Sequence, residues 1–142
     1  GDVIDPYTGR VIAGARTANG KGLLDCRRAI LRGEPPKPLL AGTNTTIGVI
    51  ATDAVISKTQ AQKLAQMAHD GLARSINPVH TMSDGDTLFA LGTRRRPSPG
   101  MMVLGTMAAE ATARAVLRAV QAAQGVRLGS LHLPSAAELA AR

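Results

Sequence analysis

Across residues 45–56, TTIGVIATDAVI, apolar and β-branched side chains follow one another almost without charge, a pattern that predicts a strand buried on both faces. The period then changes. Ser57 stands at an N-cap with Gln60 at the reciprocal position, and Ala61, Leu64, Ala65, Ala68 and Leu72 recur on one stripe, which predicts an amphipathic helix. Residues 76–93, INPVHTMSDGDTLFALGT, predict strand, turn and strand around the polar Ser83-Asp84-Gly85-Asp86, and residues 94–100, RRRPSPG, predict a loop. From Met101 to Gln124 the chain is alanine-rich and predicts a long helix, with Glu110, Arg114, Arg118 and Gln121 on one face and Gly125 as its stop.

Upstream of Thr45 the pattern is weaker. Two short β-like runs flank Pro6-Tyr7-Thr8-Gly9 and predict a hairpin. KGLLDCRRAILRG mixes Leu23, Leu24, Ala29, Ile30 and Leu31 with charges, which predicts at most a short helix ending at Gly33. GEPPKPLLAGTN, residues 33–44, predicts a linker or exposed loop. No internal repeat is present, and the order of elements is that of a mixed α/β chain.

Composition narrows what such a chain can do. With 142 residues, 44% of them hydrophobic, there is material for one modest core, and a single domain or part of one is expected. A net charge of +7 favours anionic partners. Only Tyr7 and Phe89 are aromatic, however, so the stacking faces of a single-stranded nucleic-acid platform are missing and nucleic acid is not an expected partner. The single cysteine, Cys26, excludes an internal disulfide; it reads as a small buried hydrophobe and points to a reducing compartment, although a disulfide-free secreted protein would share this composition. No run is long enough to span a membrane and GDVIDPYTGR is not a signal peptide, so a soluble, cytoplasmic protein is expected. The chain opens on Gly1, as a processed or truncated amino terminus would.

Several candidate constellations fail on inspection. In GARTANGKG, Gly14 and Gly20 are spaced one residue too far for a phosphate-binding loop, and Lys21 precedes Gly22 instead of Ser or Thr. His69, His80 and His132 lie apart in sequence with no ligand spacing, so they read as surface or satisfied histidines, and neither a metal site nor a cofactor is expected. Arg94, Arg95 and Arg96 read as an anion clamp or, more simply, as a solvated turn. Asp84 and Asp86 around Gly85 leave two readings open. They form a polar turn, or they project two carboxylates from a strand end.

Asn44-Thr45-Thr46 raises the sharpest chemistry. A threonine hydroxyl is a weak nucleophile until a base takes its proton, and cutting the Asn44–Thr45 bond would create that base as the α-amine of Thr45. Such an amine titrates at about 7.7–8.0, so it is partly unprotonated near neutrality. The hydroxyl can make the cut itself by attacking the Asn44 carbonyl, and a loose donor loop before a rigid strand suits the step. On spacing alone, TNTT merely starts a strand, since threonine is a good strand former.

GDVIDPYTGRVIAGAR, AGTNTTIGVIATDA, DGDT and the terminal alanine-rich helix with LPSAAEL together resemble the carboxyl-terminal part of the self-processing amidohydrolases, which include D-aminopeptidase/esterases, β-peptidyl aminopeptidases and nylon-oligomer hydrolases. The resemblance covers nearly the whole chain, and NTTIGVIATDA is its most specific stretch. It implies self-cleavage between Asn44 and Thr45, with Thr45 as nucleophile and the family's neighbouring carboxylates on Asp84 and Asp86. Residues 1–44 would then end the amino-terminal subunit with its processing loop, and 45–142 would form the nucleophile subunit, together part of one domain.

The implied fold is a four-layer αββα sandwich of which this chain supplies the carboxyl-terminal part, with the nucleophile strand at its centre. The implied activity is hydrolysis of amide, and ester, bonds in small peptides or oligoamides through an acyl-enzyme on Thr45. The implied partners are the missing amino-terminal segment of the same precursor and further processed protomers in a homo-oligomer. The family's Lys or Tyr near the nucleophile and its oxyanion Asn fall upstream of Gly1, so the chain holds only part of the pocket. Two rivals stand beside this reading. Ornithine acetyltransferases also cleave themselves before a Thr, but in an Ala-Thr-Met-Leu context that differs from Asn-Thr-Thr-Ile-Gly; and a non-catalytic basic binding remnant would fit the charge.

Overall fold

The structure, a computed structural model, describes residues 1–34 and 44–140. Most of the expected linker, residues 35–43, lies outside the described residues. The chain is mixed α/β. Strand β1 (Asp2–Ile4) pairs antiparallel with β2 (Val11–Ala13), and helix α1 (Cys26–Leu31) follows. Then come β3 (Ile47–Ala54), α2 (Lys58–Ser75), β4 (Ile76–Asn77), β5 (Thr87–Arg96), α3 (Met101–Ala122), the antiparallel pair β6 (Val126–Leu128) and β7 (Leu131–Leu133), and α4 (Ala136–Ala140).

The first hairpin forms for the local reason its sequence suggests. Asp5 Oδ1 accepts the N–H groups of Tyr7 and Thr8, and Gly9 takes the left-handed conformation (φ 70°) that closes the turn. β1 also pairs with β4, so the two strands flanking the SDGD turn belong to different sheets: β4 joins β1, and β5 runs parallel to β3.

α2 carries both bonds of its capping box, Gln60 N–H to Ser57 Oγ and Ser57 N–H to Gln60 Oε1. Its stripe Leu64, Ala68 and Leu72 is fully buried and meets Ala54, Ile56 and Leu88 of the β3–β5 layer and Leu104 and Ala108 of α3. The helices approach so closely that a Cβ on Gly71 of α2 would collide with the carbonyl oxygen of Ala109 in α3. α3 ends at Ala122, just short of the expected Gln124, because Ala123 turns extended (ψ 139°). No helix of the described residues is long and apolar enough to cross a membrane.

Three expectations need correction. β3 is not buried on both faces: Gly48, Ile50, Thr52 and Ala54 face the helices, whereas Ile47 is 72% and Val49 59% exposed. Phe89 and Leu91 of β5 open on the same side at 58% and 46%, so the β3–β5 layer presents a bare apolar face. Arg94–Arg96 are not a loop but the end of β5. The parallel ladder carries them into the strand: Val55 N–H bonds Arg96 O, Arg96 pairs with Asp53 at 3.1 Å, and the irregularity between Thr52 and Ala54 is absorbed at Arg94 (φ 58°). Cys26 is only partly buried, and its thiol donates to the buried Asp2 carboxylate at 3.2 Å. Desolvation and the adjacent Asp2 push the Cys26 thiol above its ordinary pKa.

Candidate active site

The β3–β5 ladder does not stop at the strand ends. Thr87 N–H donates to Thr46 O and Gly85 N–H donates to Asn44 O, each at 2.9 Å, with an isolated parallel bridge between Asn44 and Asp84. The segment Asn44-Thr45-Thr46 is thereby laid along Asp84-Gly85-Asp86. Alternation places neighbouring threonine side chains on opposite faces. Thr45 falls on the exposed side with Ile47 and Val49, and Thr46 on the half-buried side. The Thr45 hydroxyl lies beside Gly85, 2.9 Å from the point a Cβ there would occupy.

Asp84 and Asp86 do different work. Asp84 Oδ2 accepts Thr81 N–H at 2.7 Å while Asp84 N–H returns to Thr81 O at 3.0 Å, so side chain and backbone together close the four-residue turn from Thr81 to Asp84. Asp86 is nearly buried, its side chain 6% exposed, and divides its oxygens: Oδ1 accepts Thr46 N–H at 2.8 Å, and Oδ2 meets His80 Nδ1 at 3.0 Å. Both carboxylates border a cavity of about 190 Å³ together with Asn44 and Thr45. Gly1 and Pro78 also line it.

Two of the three histidines, His69 and His80, are brought together by the fold. His69 Nδ1 on α2 lies 3.2 Å from His80 Nε2, their rings 4.8 Å apart and tilted at 56°. His80 holds a left-handed backbone (φ 55°), uncommon for a side-chain-bearing residue. Its proximity to Asp86 is readable in principle, since the turn between them must fold back on itself; the contact with His69 is tertiary and leaves no local signal. His132 lies elsewhere, 3.4 Å from Glu138.

Comparison with known proteins places this geometry in context. Residues 7–132 match Peptidase family S58. An uncharacterized aminopeptidase of Mycobacterium leprae is 45% identical over 104 residues, 63% of this chain and 29% of the relative. An uncharacterized aminopeptidase of Mycobacterium tuberculosis is 46% identical over 97 residues, 58% of this chain and 28% of the relative. The 6-aminohexanoate-oligomer endohydrolase of Paenarthrobacter ureafaciens is 36% identical over 98 residues, 61% of this chain and 28% of the relative. The chain thus spans under a third of the length of these relatives.

Proposed function

This chain belongs to peptidase family S58, and from that premise we propose that it carries the nucleophile of an amide hydrolase that first cuts itself between Asn44 and Thr45 and then acts on small peptides or oligoamides. The observation that carries the reading is the position of the Asn44–Thr45 bond. Its carbonyl oxygen already accepts Gly85 N–H, and the Thr45 hydroxyl sits beside the same glycine.

In the proposed self-cleavage, Thr45 Oγ attacks the Asn44 carbonyl carbon. A C–O bond forms, and the carbonyl π pair moves onto the oxygen that faces Gly85 N–H. A fixed donor at a developing oxyanion is among the largest single catalytic effects, worth about 10²–10³ in rate. As the intermediate collapses the C–N bond breaks, the proton given up by Oγ passes to the departing nitrogen, which leaves as the Thr45 amine, and Asn44 is left as an ester on Thr45. Water then hydrolyses the ester. The freed amine becomes the base that draws the proton from Thr45 Oγ in each later acyl transfer. Asp86 fixes the start of the strand through Thr46 N–H, and Asp84 fixes the turn that presents Gly85.

Amides are the proposed substrates because relatives are named as aminopeptidases and as an endohydrolase of 6-aminohexanoate oligomers. The bare face of β3 and β5 supports a further part of the reading. The rest of a precursor about as long as those relatives would lay a second sheet on Ile47, Val49, Phe89 and Leu91, completing a four-layer αββα sandwich whose processed protomers assemble further. Hydrolysis of amino-acid p-nitroanilides by the full-length protein tests the activity: loss in Thr45→Ala with partial retention in Thr45→Ser supports it, and undiminished turnover in Thr45→Ala refutes it.

A further inference from the structure

We infer that His80 is a positioning residue for Asp86, held in turn by His69, so that a hydrogen-bond chain reaching from α2 sets the carboxylate that grips the strand next to Thr45. The inference rests on the Thr45 reading above and extends it to two residues outside the carboxylate pair.

Donor and acceptor roles follow from the contacts. Asp86 is acceptor-only when ionised, and its Oδ2 lies 3.0 Å from His80 Nδ1, so the proton is on Nδ1. In the neutral ring that leaves Nε2 as an acceptor, and the atom facing it at 3.2 Å is His69 Nδ1, which must then carry its own proton. The chain runs His69 to His80 to Asp86, with Thr46 N–H entering Asp86 from the other side at 2.8 Å. One carboxylate is clamped between the backbone beside the nucleophile and an imidazole.

Two further observations argue against an incidental contact. His80 adopts φ 55°, a conformation that costs a β-carbon-bearing residue energy and persists where its surroundings over-determine it. The following residue, Thr81, is tied by its N–H to Asp84 at 2.7 Å. Both carboxylates of the DGD turn therefore hold the His80–Thr81 step, Asp86 by the ring and Asp84 by the backbone. Removing the imidazole would free Asp86 to turn away from Thr46 and loosen the strand start on which Thr45 is mounted. The effect belongs on the chemical step and not on substrate binding, because His80 reaches the site through Asp86 and is not among the described residues that line the cavity.

The test compares His80→Ala, His80→Asn and Thr45→Ala in the full-length protein, reading the self-cleavage rate and the kcat and KM of amide hydrolysis. His80→Ala should slow cleavage and lower kcat roughly ten- to hundredfold, the range of one lost charge-assisted hydrogen bond, with KM little changed. His80→Asn should restore most of the rate, since asparagine tolerates the left-handed backbone and keeps a donor near the Nδ1 position. A second readout is independent of activity: long-range ¹H–¹⁵N correlation should find the Nδ1–H tautomer on both His80 and His69, with the His80 signal displaced in Asp86→Asn. If His80→Ala is as active as wild type while Thr45→Ala is dead, the positioning role is wrong and the nucleophile stands. If Thr45→Ala retains turnover, the nucleophile reading fails and the positioning role falls with it. If His80→Ala does not fold, the tautomers decide, and an Nε2–H tautomer on His80 overturns the chain.

Discussion

A Cβ on Gly85 would stand 2.9 Å from the Thr45 hydroxyl oxygen, a separation that real Cβ atoms essentially never show. The glycine is there for clearance, since its backbone is outside the left-handed region. Gly85→Ala should therefore leave the melting temperature nearly unchanged while forcing the hydroxyl to another rotamer, and self-cleavage should slow by roughly tenfold or more, since a misplacement of about 1 Å can cost as much as a hundredfold. The appearance of fragments with time, beside a melting curve, checks this. An unchanged cleavage rate would mean that the hydroxyl does not act from this position.

Asp84 and Asp86 should respond differently to the same substitution. Asp84 uses Oδ2 to accept Thr81 N–H, a bond that an asparagine oxygen can replace, so Asp84→Asn should keep the turn. Asp86 accepts a bond on each oxygen, and Asp86→Asn turns an NH₂ toward either Thr46 N–H or His80. One such charge-assisted bond is worth about 1.5–3 kcal/mol, so Asp86→Asn should lose roughly ten- to a hundredfold in kcat. The measurement is kcat and melting temperature for both variants on cleaved protein; equal losses would contradict the division of labour.

Gly71 tests the packing that backs the site. A methyl there would press on the backbone of Ala109 and the side chain of Thr112 in α3, and neither is a flexible end that can swing aside. Despite the better helix propensity of alanine, Gly71→Ala should destabilise by about 1–3 kcal/mol, read from urea unfolding. A stabilised variant would show that the two helices can separate.

Glu110 links three elements, accepting from Arg114, Tyr7 and Arg74. The hydrogen bonds from Arg114, then Tyr7 and Arg74, hold its carboxyl below the ordinary 4.5. A folded-state pKa below the unfolded one gives stability that is fully present above the unfolded value and is lost as pH falls through the folded one. The stability difference between wild type and Glu110→Gln should thus be constant between about pH 6 and 8 and shrink below about 4.5. Unfolding midpoints from pH 3 to 8 measure it, and a difference that grows on acidification would contradict the sign.

What was legible in the sequence was local. Ser57 and Gln60 announced their helix because a capping box needs only four neighbouring residues, and Pro6 to Gly9 announced a hairpin for the same reason. Arg94–Arg96 misled because their composition is that of a loop, whereas a parallel neighbour, not composition, makes them strand. The apolar run of β3 spoke of two covered faces, and the described residues of this chain cover one. At the candidate site, Asn44, Thr45, Asp84 and Asp86 could be named from motif and resemblance. The pairing of His69 with His80 could not, because it depends on where α2 ends relative to the SDGD turn.

The central claim is that Thr45 becomes a chain terminus, and the amino-terminal sequence and intact mass of aged, denatured full-length protein test it most directly. The account predicts two fragments from wild type, one beginning Thr45-Thr46-Ile47 and the other ending at Asn44, with Thr45→Ala remaining a single chain and Thr46→Ala cleaving much as wild type does. A wild-type chain that stays whole, or one cut at any other bond, would contradict it.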